Sequence, residues 1–246
     1  ARRQRQMCIR DRVIAVPLII EKIIKKNVLP KLETPTMKLL LKVPIVSDKI
    51  KATVREQIMN AFGGNFYEIV VGGAAFNQEI EAFMRSIEFP YTVGYGMTEA
   101  APLMAYEDWW DFASKSCGKA IDTVEVRIDS EDPYNKVGEI QARGMNIMSG
   151  YYKNEEATKA AFTADGWMRT GDLGLLDEKG NIFIKGRSKN MILSANGQNI
   201  YPEEIEAVVN NQPYVIESVV VDRGARLVAL IYMDSEKAKA EGVDLE

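Results

Sequence analysis

Residues 66–99 read FYEIVVGGAAFNQEIEAFMRSIEFPYTVGYGMTE, and their order decides the fold. Residues 66–71 form a short apolar run of strand length, and Gly72-Gly73 breaks it with a turn. Asn77 then offers a side-chain acceptor to the start of a helix running to residue 88. Residues 91–95 form the next strand. Helices alternating with short apolar strands predict a parallel sheet, with Tyr95-Gly96-Met97-Thr98-Glu99 at a strand's carboxyl end, where open α/β sheets bind ligands.

The polar residues of that motif suit a nucleotide. Tyr95 offers a flat ring for a purine, Thr98 a hydroxyl for a phosphate oxygen, and Glu99 a hard carboxylate for Mg²⁺. Further along, Arg169-Thr170-Gly171-Asp172 puts a carboxylate between two glycine turns, where its oxygens can accept from the vicinal hydroxyls of a ribose. Gly186-Arg187-Ser188-Lys189 follows, and the planar fork of Arg187 can reach the same sugar or its phosphate. Taken singly, each residue has a plainer reading: Tyr95 as a half-buried strand residue, Asp172 as a turn former, Glu99 as a solvated acid at a helix start. Three motifs in series point to one nucleotide site. Gly72-Gly73-Ala74-Ala75 could also suggest a dinucleotide fold, but the third glycine and the distal acid of that fingerprint are missing.

In this order the motifs resemble the adenylate-forming superfamily, which includes acyl-CoA ligases, peptide-synthetase adenylation domains and luciferases. The matching blocks are Gly72 to Ala75, Tyr95 to Glu99, Gly138-Glu139-Ile140 running into Gly150-Tyr151-Tyr152, Arg169 to Gly174, and Gly186 through Glu206. Within the superfamily, Gly186 to Ile192 followed by Asn196 to Glu206 is similar to the long-chain fatty acyl-CoA ligases. Peptide-synthetase domains more usually carry Asp where Lys189 stands. The resemblance implies a two-step ligase that uses ATP and Mg²⁺ to turn a carboxylic acid, expected to be a fatty acid, into an acyl-adenylate and then passes it to coenzyme A. It further implies that Gly72, Gly73 and Ala74 let the backbone approach adenine and the acid. Tyr95, Gly96 and Met97 would line the nucleotide, Thr98 and Glu99 would act on phosphate and metal, and Asp172 and Arg187 would hold the ribose. Lys189 falls at the hinge of a small C-terminal domain that rotates between half-reactions, and Gly197 at the pantetheine channel. Two expected parts do not occur: the Ser/Thr/Gly-rich phosphate loop before Val13, and the catalytic lysine, since Lys237 and Lys239 lie in a polar, acidic stretch without its context. The expectation is an interior fragment of a longer enzyme, slow to form acyl-adenylate by itself. A carrier-loading adenylation domain and a noncatalytic nucleotide or acyl-adenylate binding module stand as alternatives.

Composition agrees with a folded enzyme piece: 246 residues, 46% hydrophobic and 27% charged. The absence of histidine excludes His-based triads and His metal sites, and two cysteines make no disulfide framework. A formal net charge of −4 gives no electrostatic reason to expect nucleic acid or an anionic membrane as partner. No apolar run approaches the length of a bilayer span. Residues 16–26 read as an amphipathic helix with a lysine-bearing face, taken as solvated, so peripheral membrane contact stays open and the expected location is the cytoplasm. The arginine-rich residues 1–12 match nothing in the family and are set aside as non-family or artefactual.

The resulting expectation is an α/β protein. Residues 13–188 form the C-terminal part of a large AMP-binding domain, a parallel α/β sheet plus a small β-rich subdomain beginning near Gly118. Residues 189–246 form the hinge and an incomplete α+β C-terminal domain, with a helix from Pro202 and strands over 215–222 and 226–233. A second helix is expected to start at Ser47-Asp48 and stop at Gly63-Gly64, and residues 178–181 to form a hairpin turn.

Overall fold

A computed structural model describes residues 12–194, 196–224 and 226–244. The chain divides into two compact units. One holds residues up to Val124 together with Gly144–Met148 and Gly180–Ile182; the other holds Glu125–Arg143, Ser149–Lys179 and the residues from Phe183 on.

In the first unit, strands β1 (Arg12–Ala15), β2 (Glu68–Val71) and β3 (Tyr91–Val93) make a parallel sheet in the order β1-β2-β3. The expected parallel α/β arrangement is therefore present. Ile69 and Val71 of β2 are wholly buried, as a run of β-branched residues in a covered parallel sheet requires. Helix α1 (Pro17–Ile23) runs into a π-turn (Ile24–Val28), so the amphipathic stretch expected over 16–26 is helical but changes period midway. Ile20 and Ile24, four apart, share its buried face. Two short helices, α2 (Leu29–Leu32) and α3 (Pro35–Leu40), precede α4 (Pro44–Ala61). The start expected at Ser47 is corrected: α4 begins at Pro44, whose fixed φ and missing N–H suit a helix's first position, and Ser47 is buried inside the first turn. Helix α5 (Gln78–Ser86) is capped as expected, Asn77 Oδ1 accepting from the Glu79 and Ile80 amides at 3.0 and 3.1 Å. Ile80 and Met84 bury its inner face. A small antiparallel sheet of β4 (Tyr95–Gly96), β5 (Leu103–Tyr106) and β6 (Lys119–Ala120) completes the unit.

Residues 1–11 of the segment set aside from the sequence lie outside the described residues. Arg12 opens β1, with Nε 2.6 Å from Glu68 Oε1 and Nη2 2.8 Å from Asp108 Oδ1.

The second unit carries a four-stranded sheet in the order β10 (Ile182–Arg187), β9 (Met168–Leu176), β8 (Gly138–Gly144), β7 (Val124–Asp129). The β-rich texture expected from Gly118 on is present, and Gly180, at φ +85°, makes the turn between β9 and β10, but Asp172, expected between two glycine turns, lies inside β9, because that strand already begins at Met168. Helix α6 (Glu155–Ala161), not anticipated from the sequence, is capped by Asn154, which accepts from the Ala157 amide at 3.0 Å. The side of the sheet is tied down by Arg127, which forks onto Asp165 at 2.7 and 3.2 Å and lies 4.4 Å over the Trp167 ring. Beyond β10 come the hairpin β11 (Ile192–Leu193) and β12 (Asn199–Ile200), helix α7 (Pro202–Val209), the antiparallel pair β13 (Val215–Asp222) and β14 (Leu227–Met233), and helix α8 (Ser235–Ala240). The helix at Pro202 and both long strands fall where the sequence places them. Glu206 of α7 accepts from the Val220 amide at 2.7 Å, fastening helix to sheet.

Candidate functional site

In the first unit the candidate residues gather at the carboxyl end of the parallel sheet. The Gly72 amide donates to Ala15 O at the end of β1, and the Gly94 amide to Val71 O at the end of β2. A Cβ on Gly72 would stand 3.3 Å from Gly94 O, so the loop Gly72-Gly73-Ala74 and the chain leading to Tyr95 lie against each other with no room between. Gly73 has φ +86°, a conformation that favours glycine, and Ala74 is exposed. Tyr95 departs from the expected continuation of β3: it opens β4, paired with Ala105, and is only 6% exposed. At Gly96 the reason for glycine is contact, since a Cβ would fall 1.8 Å from Pro102 O. That contact closes a turn in which Thr98–Ala100 form a 3₁₀ helix and Ala101 adopts a left-handed conformation at φ +50°. Met97 precedes the helix in extended conformation, and the turn presents Thr98 exposed and Glu99 half-buried.

Sequence reasoning missed the clamp on this turn. Asn146 Nδ2 donates to Ala100 O at 2.7 Å and to Leu103 O at 2.8 Å, and the Met148 amide donates to Glu99 O at 2.8 Å. Both partners come from more than forty residues downstream, and no local pattern marks them.

In the second unit a bulge builds the acidic site. Glu139 of β8 pairs with Leu173 and Gln141 with Arg169, so the three residues Thr170, Gly171 and Asp172 face the single residue Ile140. Gly171, at φ +72°, takes the left-handed position that the bulge needs. Thr170 Oγ1 donates to Ile140 O at 2.7 Å and accepts from the Asp172 amide at 3.1 Å, fixing the bulge from inside. Glu139 fixes it from outside, accepting from Arg169 Nη1 at 2.8 Å and the Gly171 amide at 3.3 Å. The structure brings Asp172 and Arg187 together: Nε lies 2.9 Å from Oδ1, with the carboxylate buried and the guanidinium side chain 61% exposed. The Ser188 amide donates to Gly171 O at 2.8 Å, holding the end of β10 to the bulge.

Lys189 sits exposed in the turn after β10, closed by the Asn190 and Met191 amides donating to Arg187 O. Glu203, in the first turn of α7, reaches back to this turn. It accepts from Asn190 Nδ2 at 2.7 Å, and its other oxygen is buried with no hydrogen-bond partner. Gly197 lies at the tip of the β11–β12 hairpin with φ +80° and open space where a Cβ would stand.

The most conspicuous buried charge lies elsewhere. Glu68, the first residue of β2, accepts from Arg12, the Tyr106 hydroxyl and the Trp109 amide at the amino end of the sheet, opposite the candidate residues. Burial, aided by hydrogen bonds to Glu68 and Asp108, raises the Tyr106 hydroxyl well above its ordinary value. Fully partnered, this cluster knits strand to loop. Two shallow surface depressions, one of about 570 Å³ over Arg12, Val13 and residues 60–63 and one of about 260 Å³ over β13 and β14, involve none of the candidate residues. Among the described residues no group of three or more Cys, Asp or Glu could hold a metal ion by itself. Glu99 is the single acid in the first turn of its 3₁₀ helix.

The AMP-binding enzyme family model matches residues 13–152, which contain the Gly72-Gly73-Ala74 loop and the Thr98–Glu99 turn. The chain is 36% identical over 184 residues to the long-chain-fatty-acid–CoA ligase FadD15 of Mycobacterium bovis, covering 74% of this chain and 30% of that protein. It is 32% identical over 217 residues to 4-coumarate–CoA ligase of Pinus taeda, covering 80% of this chain and 40% of that one. Among solved structures, o-succinylbenzoate CoA synthetase MenE of Bacillus subtilis, in complex with its acyl-adenylate intermediate OSB-AMP, superposes with a TM-score of 0.67. It is 25% identical, with 90% of this chain and 40% of that one covered. The chain thus spans less than half the length of the curated relatives it matches. With more than half of its residues under the family model, the chain belongs to the AMP-binding enzymes.

Proposed function

We propose that the protein carrying these residues is an acyl-CoA ligase that activates a fatty carboxylic acid with ATP and Mg²⁺. A carboxylate oxygen attacks the α-phosphorus, the bond to the β-phosphate bridge breaks, and pyrophosphate leaves. The thiol of coenzyme A then attacks the acyl carbon, loses its proton, and expels AMP. The observation that carries the reading is the Gly171 bulge, which spends two extra residues to hold Asp172 buried against Arg187. A carboxylate so fixed keeps its acceptor geometry for the ribose hydroxyls without reorganising when the sugar arrives.

The remaining roles follow from the turn chemistry. Gly72, Gly73 and Ala74 leave bare backbone beside the base and the acid, with Tyr95, Gly96 and Met97 along the nucleotide. Thr98 positions phosphate, and Glu99 contributes the single carboxylate to Mg²⁺, which when bound spreads the charge developing on phosphate. Residues 13–188 act as the large domain and 189–246 as the small one, with Lys189 as hinge and Gly197 facing the pantetheine arm. A long-chain-fatty-acid ligase at 36% identity supports the fatty acid, and the coumarate ligase defines the competing aromatic acid.

The test is AMP release by the natural protein, offered ATP, Mg²⁺ and either fatty acids or coumarate, with and without coenzyme A. Release that needs both a fatty acid and coenzyme A, and falls at least about a hundredfold in Asp172→Ala, is expected. Release with coumarate alone would replace the substrate, and release unchanged in Asp172→Ala would remove the assigned role.

A further inference from the structure

The net charge of −4 conceals a local excess. Residues 17–51 contain eight lysines, no arginine and three acids, so this stretch is five charges positive while the remainder is strongly acidic. The same stretch breaks the usual burial of apolar residues. Between α3 and α4 the chain reads Leu39-Leu40-Leu41-Lys42-Val43-Pro44-Ile45, and Leu39, Val43 and Ile45 are 67, 48 and 74% exposed. Leu40 is exposed beside them, and Lys38, Lys42 and Lys49 flank the turn, exposed as well.

Three successive amides of this turn are paired within it. The Leu41, Lys42 and Val43 amides donate to Met37, Leu39 and Leu40 carbonyls at 2.9 to 3.2 Å, and Pro44 has no N–H. That pairing reduces the number of donors the turn would carry into an apolar medium, and the Ile45 amide, uncapped at the start of α4, is left to the head-group layer. Its composition also separates the candidate partners. Protein interfaces favour aromatic residues and arginine at their centres and are poor in lysine. Residues 17–51 have no aromatic residue and no arginine, and their three acids are outnumbered by eight lysines on flexible stems beside the exposed aliphatic tips. That is the chemistry of a surface of phosphate head groups over acyl chains, where the ammonium groups meet anions and the leucines pass beneath them.

We propose that the turn at residues 39–45, with Lys38, Lys42 and Lys49 around it, docks this chain on an anionic phospholipid surface. The reading is independent of the ligase assignment, because it concerns residues outside the nucleotide site and needs no nucleotide for its test.

The 246-residue chain is to be sedimented with vesicles of phosphatidylcholine alone and of phosphatidylcholine mixed with phosphatidylglycerol. Binding to the mixed vesicles, weak on phosphatidylcholine alone and diminished by added salt, is expected. Lys38→Glu/Lys42→Glu/Lys49→Glu should weaken it at least about tenfold, and so should Leu39→Ser/Leu40→Ser/Ile45→Ser. All six side chains are exposed, and circular dichroism checks that both variants keep the fold. No sedimentation with the mixed vesicles, or equal sedimentation of the chain and both variants, would overturn the proposal. So would a vesicle-independent dimer abolished by the serine variant, which would assign the turn to a second copy.

Discussion

At the scale of single residues, two glycines of the candidate site are glycines for different reasons, and the difference is measurable. Gly96 is crowded, its notional Cβ 1.8 Å from a backbone oxygen that cannot turn aside. Gly171 is uncrowded and is constrained only by its left-handed backbone. Gly171→Ala should therefore cost about 1–2 kcal/mol, the ordinary penalty of that conformation with a side chain. Gly96→Ala forces β4 from β5 and should cost about 3 kcal/mol or more. Urea midpoints of the two variants decide the matter, and equal losses would contradict the steric account. Both glycines were visible in the sequence as motif members. What was not visible is Asn146, whose two donated hydrogen bonds hold the Thr98–Glu99 turn from a distant loop. A long-range side-chain contact leaves no period or composition to read.

At the scale of elements, a proline explains the one corrected helix start. Pro30, Pro35 and Pro44 each stand within the first two positions of a helix, where a missing N–H costs nothing. The Asn77 cap and the strands of β13 and β14 were legible because a capping acceptor and a β-branched run are local properties. The sheet of the second unit carries a pH-dependent tie. Hydrogen bonds from Arg127 first, and then from Thr163, hold the Asp165 carboxyl well below the usual carboxylate range. A carboxylate whose folded value is depressed stabilises the fold fully above its unfolded value and loses that contribution as pH falls through the folded one. Asp165→Asn should accordingly lower Tm at neutral pH, and the gap from the parent should close as pH drops below the ordinary carboxylate range. A gap that stayed constant down to the acid limb would show that the pair does not titrate as its contacts imply. The effect is modest, since Asp165 is over half exposed and screened by solvent.

At the scale of the whole molecule, the proposed division of labour between large and small domains makes Gly197 the most informative position. Open space and an exposed hairpin tip mean that a side chain there meets nothing within the described residues. Gly197→Leu should leave pyrophosphate release within about threefold while reducing thioester formation by about tenfold or more, a split that a general folding defect would not produce. Equal losses in both half-reactions would remove the pantetheine role. The amino-acid sequence by itself determined the family, the alternation of helix and strand that implies a parallel sheet, and the residue types gathered at the site. Each of these is written in short stretches, as a cap, a run, a turn or a motif. Only the tertiary structure decided that Tyr95 leaves the parallel sheet for a second one, that three residues bulge opposite Ile140 to seat Asp172 on Arg187, and that the lysines of residues 17–51 share a surface with uncovered aliphatic side chains. Register, bulge and exposure depend on which distant segment packs against which, and that pairing is a property of the folded chain.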